Sequence, residues 1–142
     1  MNKIELIKNE RGGLEIINDI DRFANEGWES ISEEDIQRLK WYGLFLRNPT
    51  PGYFMLRVRI PNGFSFSHQV KALAVIAETY GNGVIDITTR QQVQLRHLKI
   101  ENIPQVFDLI EEMGLTTSQT GMDNVRNIMG CPVAGLNPKE RV

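Results

Sequence analysis

Residues 83–98 read GVIDITTRQQVQLRHL. Val84, Ile85 and Ile87 are β-branched and follow the turn-forming run Gly81-Asn82-Gly83, so the stretch begins as a strand. From Arg90 onward the residues alternate. Arg90, Gln92, Gln94 and Arg96 share one parity, and Val93 and Leu95 share the other. Successive side chains of an extended chain point to opposite faces, so this spacing predicts a donor-rich face with an apolar back.

A second predicted strand, residues 53–60, repeats the arrangement. Leu56, Val58 and Ile60 fall on one face, Arg57 and Arg59 on the other. Two such strands side by side gather guanidinium groups, which repel unless an anion lies between them. The alternation leaves two readings open: arginines coating a solvated face, or arginines built around an anion.

At 142 residues the chain has room for one compact domain with a modest core. The 41% apolar and 24% charged content is ordinary for a globular protein. A net charge of −2 argues against general nucleic-acid binding, but its distribution is uneven. Residues 51–100 contain only Glu78 and Asp86 against Arg57, Arg59, Lys71, Arg90, Arg96 and Lys99, whereas residues 1–40 are acid-rich. The middle of the chain is the anion-attracting part. Cys131 is the only cysteine, which excludes an intrachain disulfide or a chain-contained cysteine cluster. His68 and His97 are isolated, so no metal ligands are expected, and packing or solvent roles fit both. No apolar run has the length of a membrane span, and MNKIELIKNERGG lacks a signal-peptide hydrophobic segment; the expected location is cytoplasmic.

In chain order, residues 14–26 predict a short helix ended by Gly27. Ser32 is placed as the N-cap of the next helix, with Glu33, Glu34 and Asp35 in its first turn, an Ile31–Ile36 staple and a stop at Gly43. Residues 44–47 are a short extended piece, and Asn48-Pro49-Thr50-Pro51-Gly52 breaks regular structure. Residues 1–50 therefore read as a helical N-terminal extension that wraps another body. Residues 51–114 read as one unit. Its first strand ends at Pro61-Asn62-Gly63, and a helix follows with Val70, Leu73, Ala74, Ala77 and Tyr80 on one stripe. The central stretch comes next, then a helix capped by Asn102 with Ile103, Val106, Phe107, Ile110 and Met113 on its stripe and Gly114 at its end. The order β-α-β-β-α predicts an α+β, ferredoxin-like half-domain with helices on one face of an antiparallel sheet. Residues 115–142 are polar and aperiodic around Asp123-Asn124-Val125-Arg126-Asn127, as in a segment shaped around a ligand or a further part of the protein, or in a mobile tail.

Three stretches, RLKWYGLFLRNPTPGYFMLRVRIPNG (38–63), DITTRQQVQLRHL (86–98) and TGMDNVRNIMGCPVAGLNP (120–138), resemble in order and spacing the N-terminal portion of ferredoxin-dependent assimilatory nitrite reductases. The related sulfite reductases share the layout more distantly. The resemblance implies a siroheme coupled to a 4Fe–4S cluster, reducing nitrite to ammonia with electrons from ferredoxin. It also implies that residues 115–142 begin the siroheme/4Fe–4S domain, left incomplete here. Arg59 and Arg126 would line the anion pocket and act in catalysis. Thr88, Thr89, Arg90, Gln92, Gln94, Arg96, Asn124 and Asn127 would contact the siroheme.

Siroheme carries many carboxylates and nitrite is a small planar anion; the forked donors of arginine suit both. One guanidinium about 4 Å from an anion gives roughly 4 kcal/mol of gross attraction at intermediate dielectric, too little to offset burial alone, so several are needed. A 4Fe–4S cluster typically needs four thiolates, and those ligands are absent from this sequence. Cys131 reads as a structural or incidental residue that behaves as a small hydrophobe. The resemblance thus implies a further C-terminal half or a partner chain, and no catalysis by this chain alone. Two other readings stand beside it: a stand-alone anion- or tetrapyrrole-binding or assembly protein, and a sulfite reductase fragment. A nucleic-acid module is disfavoured because the arginine faces lack interleaved aromatics.

Overall fold

The computed structural model describes residues 2–136 and 138; Asn137 and 139–142, the end of the 115–142 segment, lie outside the described residues. Four strands, Leu44–Leu46 (β1), Tyr53–Val58 (β2), Ile85–Ile87 (β3) and Val93–Lys99 (β4), make one antiparallel sheet in the order β1-β2-β4-β3. Helices Ser67–Tyr80 (α4) and Ile103–Glu112 (α5) complete the β2-α4-β3-β4-α5 order that the sequence predicts. Helices Lys3–Glu10 (α1), Ile20–Glu26 (α2) and Glu33–Leu39 (α3) precede the sheet.

The core explains the order. Leu56, Val58 and Ile60 of the β2 arm, Leu95 and Leu98 of β4, Leu73, Ile76 and Ala77 of α4, and Ile103, Val106 and Ile110 of α5 form one buried cluster. Val70, expected on the α4 stripe, is exposed, and Ile76 takes its place in the core. Ile16, Ile20, Phe23, Leu39 and Leu44 join the same cluster. The break at residues 48–52 is thus the turn of a hairpin, since Leu44 pairs with Leu56 and Leu46 with Phe54 across it. Burial of Phe23 and Leu39 against the sheet's core ties residues 16–44 to it more firmly than the prolines separate them.

Local chemistry sets the helix ends. Ser32 caps α3 as expected, its side chain accepting from the Asp35 N–H at 3.1 Å. Ser32→Ala is expected to cost about 1 kcal/mol, read as a lowered thermal midpoint with an unchanged sheet signal. Asn102 stands at the N-cap of α5 without a side-chain cap; a 3-10 turn, Ile100–Asn102, leads the chain in instead. The single helix predicted over 14–26 is a 3-10 turn, Gly13–Asp19, followed by α2. Gly13 lies against the Trp41 ring, where a Cβ would come within 2.2 Å, so the tighter turn lets backbone and indole meet.

One irregularity redirects the sheet. Phe54 faces Leu98 but Leu56 faces Leu95, so two steps along β2 match three along β4. The extra residue makes a bulge, and His97 takes φ +60°. The bulge returns Leu98 and Ile100 to the core after Leu95. Among the described residues no helix is long and apolar enough to cross a membrane.

Candidate anion site

Arg57 and Arg59 leave β2 on the face opposite the core. Arg59 extends the ladder by one bridge, its N–H donating to Thr116 O at 2.8 Å. That bridge begins a seam by which residues 116–130 are laid along the sheet's end. The Arg57 guanidinium stacks over Phe45, its Cζ 4.8 Å from the ring centroid, and Nη1 donates to Thr120 O at 2.9 Å. Arg59 Nη2 donates to Gln119 O (3.0 Å) and Val125 O (3.1 Å). Arg126 turns back on its own loop, with Nε and Nη2 both donating to Met122 O (3.1 and 2.9 Å).

Burial first, then the charges of Arg126 and Arg90, hold the Arg57 pKa below the usual arginine value. Among the described residues none of Arg57, Arg59, Arg90 and Arg126 is in an ion pair. Asp123 lies beside Arg126 but is paired with Lys8, so positive charge is in excess here, which favours a bound anion.

The predicted polar face of the central stretch is broken up. Residues 88–92 form the turn of the β3–β4 hairpin: Thr88 N donates to Gln92 O, Gln91 N to Thr88 O, and the Thr88 hydroxyl accepts from Gln92 N. Arg90 and Thr89 are therefore at an exposed tip, not on the strand. Gln92 is buried and donates to Arg126 O at 2.7 Å. Arg96 is tied to Asp86 across the hairpin. Gln94 keeps the expected station, opposite Arg57 on one side and Asp86 on the other, and Arg96 stays on the same face through its pair with Asp86.

The amides in this region serve the backbone. Asn127 Nδ2 reaches Ile60 O (3.0 Å), Arg90 O (2.9 Å) and Gln91 O (3.4 Å), joining β2, the hairpin tip and the loop. Asn124 donates to Gly121 O at 2.9 Å, and Gln91 exchanges two bonds with Gly130. Buried carbonyls need donors, so these side chains hold the segment's shape. Asn62, Gln91, Gln119 and Met122 all stand at φ between +56° and +58° here. Such backbone persists where surrounding contacts over-determine it, and it collects at binding sites. Arg59 and Asn127 face a cleft of about 450 Å³ with Gln119, Asp123, Asn124, Val125 and Ile128, the Asp123 carboxylate being paired with Lys8. Arg59 Nε and Asn127 Oδ1 are buried there without a hydrogen-bond partner.

Sequence reasoning placed Arg57 on the correct face but did not single it out for the site; the signal was its two-residue spacing from Arg59. Cys131 is exposed, so it is not packed as a small hydrophobe. Among the described residues no group of three or more His, Cys, Asp or Glu side chains is placed to hold a metal ion.

Residues 47–113 match the family described as nitrite/sulfite reductase ferredoxin-like half domain. That segment, β2 through α5, belongs to the family. It is 48% identical over 144 residues to a ferredoxin–nitrite reductase of Leptolyngbya laminosa, which matches all of this chain and 28% of that protein. It is 49% identical over 142 residues to the Synechococcus elongatus enzyme of the same name, matching 99% of this chain and 28% of that one. Among solved structures, the Mycobacterium tuberculosis NirA protein superposes on 94% of this chain with a TM-score of 0.87 at 28% identity, using 28% of its own length. The chain thus spans between a quarter and a third of the relatives it matches, and its α+β half-domain is the fold they share.

Proposed function

We propose that this chain is the N-terminal part of a cytoplasmic siroheme enzyme that reduces nitrite to ammonia with electrons from ferredoxin, and that its arginine cluster forms one wall of the anion site. The observation that carries this is the grouping of Arg57 with Arg90 and Arg126, none of them in an ion pair among the described residues, beside the seam where Arg59 Nε faces a cleft without a partner. The names of the relatives supply the substrate and the electron donor; the charge pattern supplies the wall.

The residues present fit an acid-bearing macrocycle. Arg90 and Thr89 at the hairpin tip and Gln94 on the open sheet face are the candidates to meet its carboxylates, and Arg59 and Arg126 to meet nitrite. Thr88, Gln92, Asn124 and Asn127 would act one step back, by holding the turn and loop, and Arg96 through its pair with Asp86. When bound, siroheme would supply the redox iron that takes up nitrite. The guanidiniums would orient the anion and offset charge as oxygen leaves. The residues present do not fit a 4Fe–4S cluster: one exposed cysteine cannot replace four thiolates, so the ligands would come from sequence beyond this chain.

The test is substitution in the completed enzyme. Arg59→Lys and Arg126→Lys keep the charge and remove the fork. Each is expected to lower nitrite turnover by about 100-fold while siroheme absorbance per protein stays near the parent value. Parallel loss of turnover and siroheme would remove both residues from the anion pocket and make them part of the cofactor's seat.

A further inference from the structure

A second cleft, of about 560 Å³, opens between α1, α3 and the turn joining β1 to β2. It shares no lining residue with the arginine cleft. Its aliphatic lining comes from Ile4, Ile7, Ile36 and Leu46, and its charges from Lys3, Glu33, Lys40 and Arg47. Lys3 and Glu33 pair with each other at 3.3 Å. Lys40 Nζ donates only to the Gln37 amide oxygen, at 2.5 Å, and neither Lys40 nor Arg47 is in an ion pair among the described residues.

We propose that this cleft binds a small amphipathic carboxylate, a short aliphatic chain ending in an acid group that lies against Lys40 and Arg47. Each half of the cleft excludes a simpler ligand. A fully polar anion leaves the aliphatic lining uncovered, and a hydrocarbon leaves two cations without a counter-ion. The volume lies within the range of roughly 300–1,000 Å³ usual for small-molecule sites. Lys40 responds to its surroundings as this requires: burial lowers its pKa. A bound carboxylate would raise it again, so the ligand is held by the ammonium form and released as Lys40 deprotonates on the alkaline side. Lys3, Glu33 and Arg47 are the other charged groups lining the cleft, and Glu33 is occupied by Lys3.

The test titrates the full chain with hexanoate, hexan-1-ol and hexylamine, followed by amide resonances. Hexanoate is expected to give saturable shifts at Ile4, Ile36, Lys40 and Arg47, to bind about tenfold more tightly than hexanol, and to move the Lys40 titration upward. Hexylamine is expected to give none. Lys40→Met and Arg47→Gln should each weaken hexanoate severalfold, and Arg126→Gln should leave it unchanged. If Lys40→Met loses its dispersed spectrum, Arg47→Gln at the exposed turn decides alone. Equal binding of hexanoate and hexanol, binding of hexylamine, no saturable shift, or indifference to Arg47→Gln would each overturn the proposal.

Discussion

Gly121→Ala is expected to lift the 116–130 segment off the sheet while leaving the sheet folded. A Cβ at Gly121 would stand 2.1 Å from Lys40 O and 2.9 Å from Phe45 Cζ. The carbonyl cannot simply retreat, because it also accepts the Gly43 N–H that closes the 3-10 turn Lys40–Tyr42. Phe45 cannot move freely either, since its ring carries Arg57. Overpacking of this kind costs about 3 kcal/mol at the upper end of the usual range. For a chain of this length that lowers the thermal midpoint by about 10 °C. Gly83→Ala is the control: its φ of +76° strains alanine, but no atom lies within 4 Å of the new Cβ, so about 1 kcal/mol is expected. Hydrogen exchange locates the damage. The Arg59 amide, bonded to Thr116 O, and the Gln119 amide, bonded to Trp41 O, should lose protection in Gly121→Ala, while the β2–β4 amides keep theirs. Equal effects of the two substitutions would mean that the seam is not close-packed.

The sheet and its two covering helices were legible because their residues alternate cleanly. Leu56, Val58 and Ile60 are buried as their parity requires, and α5 buries Ile103, Val106 and Ile110. Parity misled where the chain leaves regular geometry. Nothing in Thr88-Thr89-Arg90-Gln91-Gln92 marks a turn by composition, because Gln91 adopts φ +58° where glycine or asparagine is usual. The alternation was therefore read straight through a hairpin. Helix α1 was missed for another reason: Ile7 is its one buried residue, which leaves no stripe to recognise. At the site, residue types pointed to an anion, but which amides face the ligand and which hold the backbone depends on long-range bonds. Asn127 reaches three carbonyls on two distant segments, and no spacing within the chain announces that.

Those bonds couple the loop's shape to its charge. Gln92 grips the carbonyl of Arg126, and Arg59 grips Val125 O beside it, so the segment bearing one arginine is held by another. The same contacts keep like charges close: burial is the larger cause of the lowered Arg57 pKa, and the charges of Arg126 and Arg90 add to it. Stability and anion affinity are thereby opposed: whatever neutralises the cluster should also stabilise the chain.

An iron-free tetrapyrrole polycarboxylate is accordingly expected to raise the thermal midpoint of this chain, and to do so through Arg59 and Arg126. A ligand that binds only the folded state at one hundred times its dissociation constant contributes about 2.7 kcal/mol. On a chain of this length that is a shift of about 9 °C. Arg59→Gln and Arg126→Gln should each remove most of the shift. Each variant without ligand should stay within about 1 kcal/mol of the parent, because the lost backbone bonds are offset by relief of repulsion. Salt should weaken the effect, since partly exposed charges are screened over about 10 Å at 0.1 M. Any shift that hexanoate gives should survive Arg59→Gln and Arg126→Gln, because neither arginine lines its cleft. A polycarboxylate shift that survives both substitutions would place the binding elsewhere on the chain. The crowded guanidiniums would then be a strained surface, with no part in holding an anion.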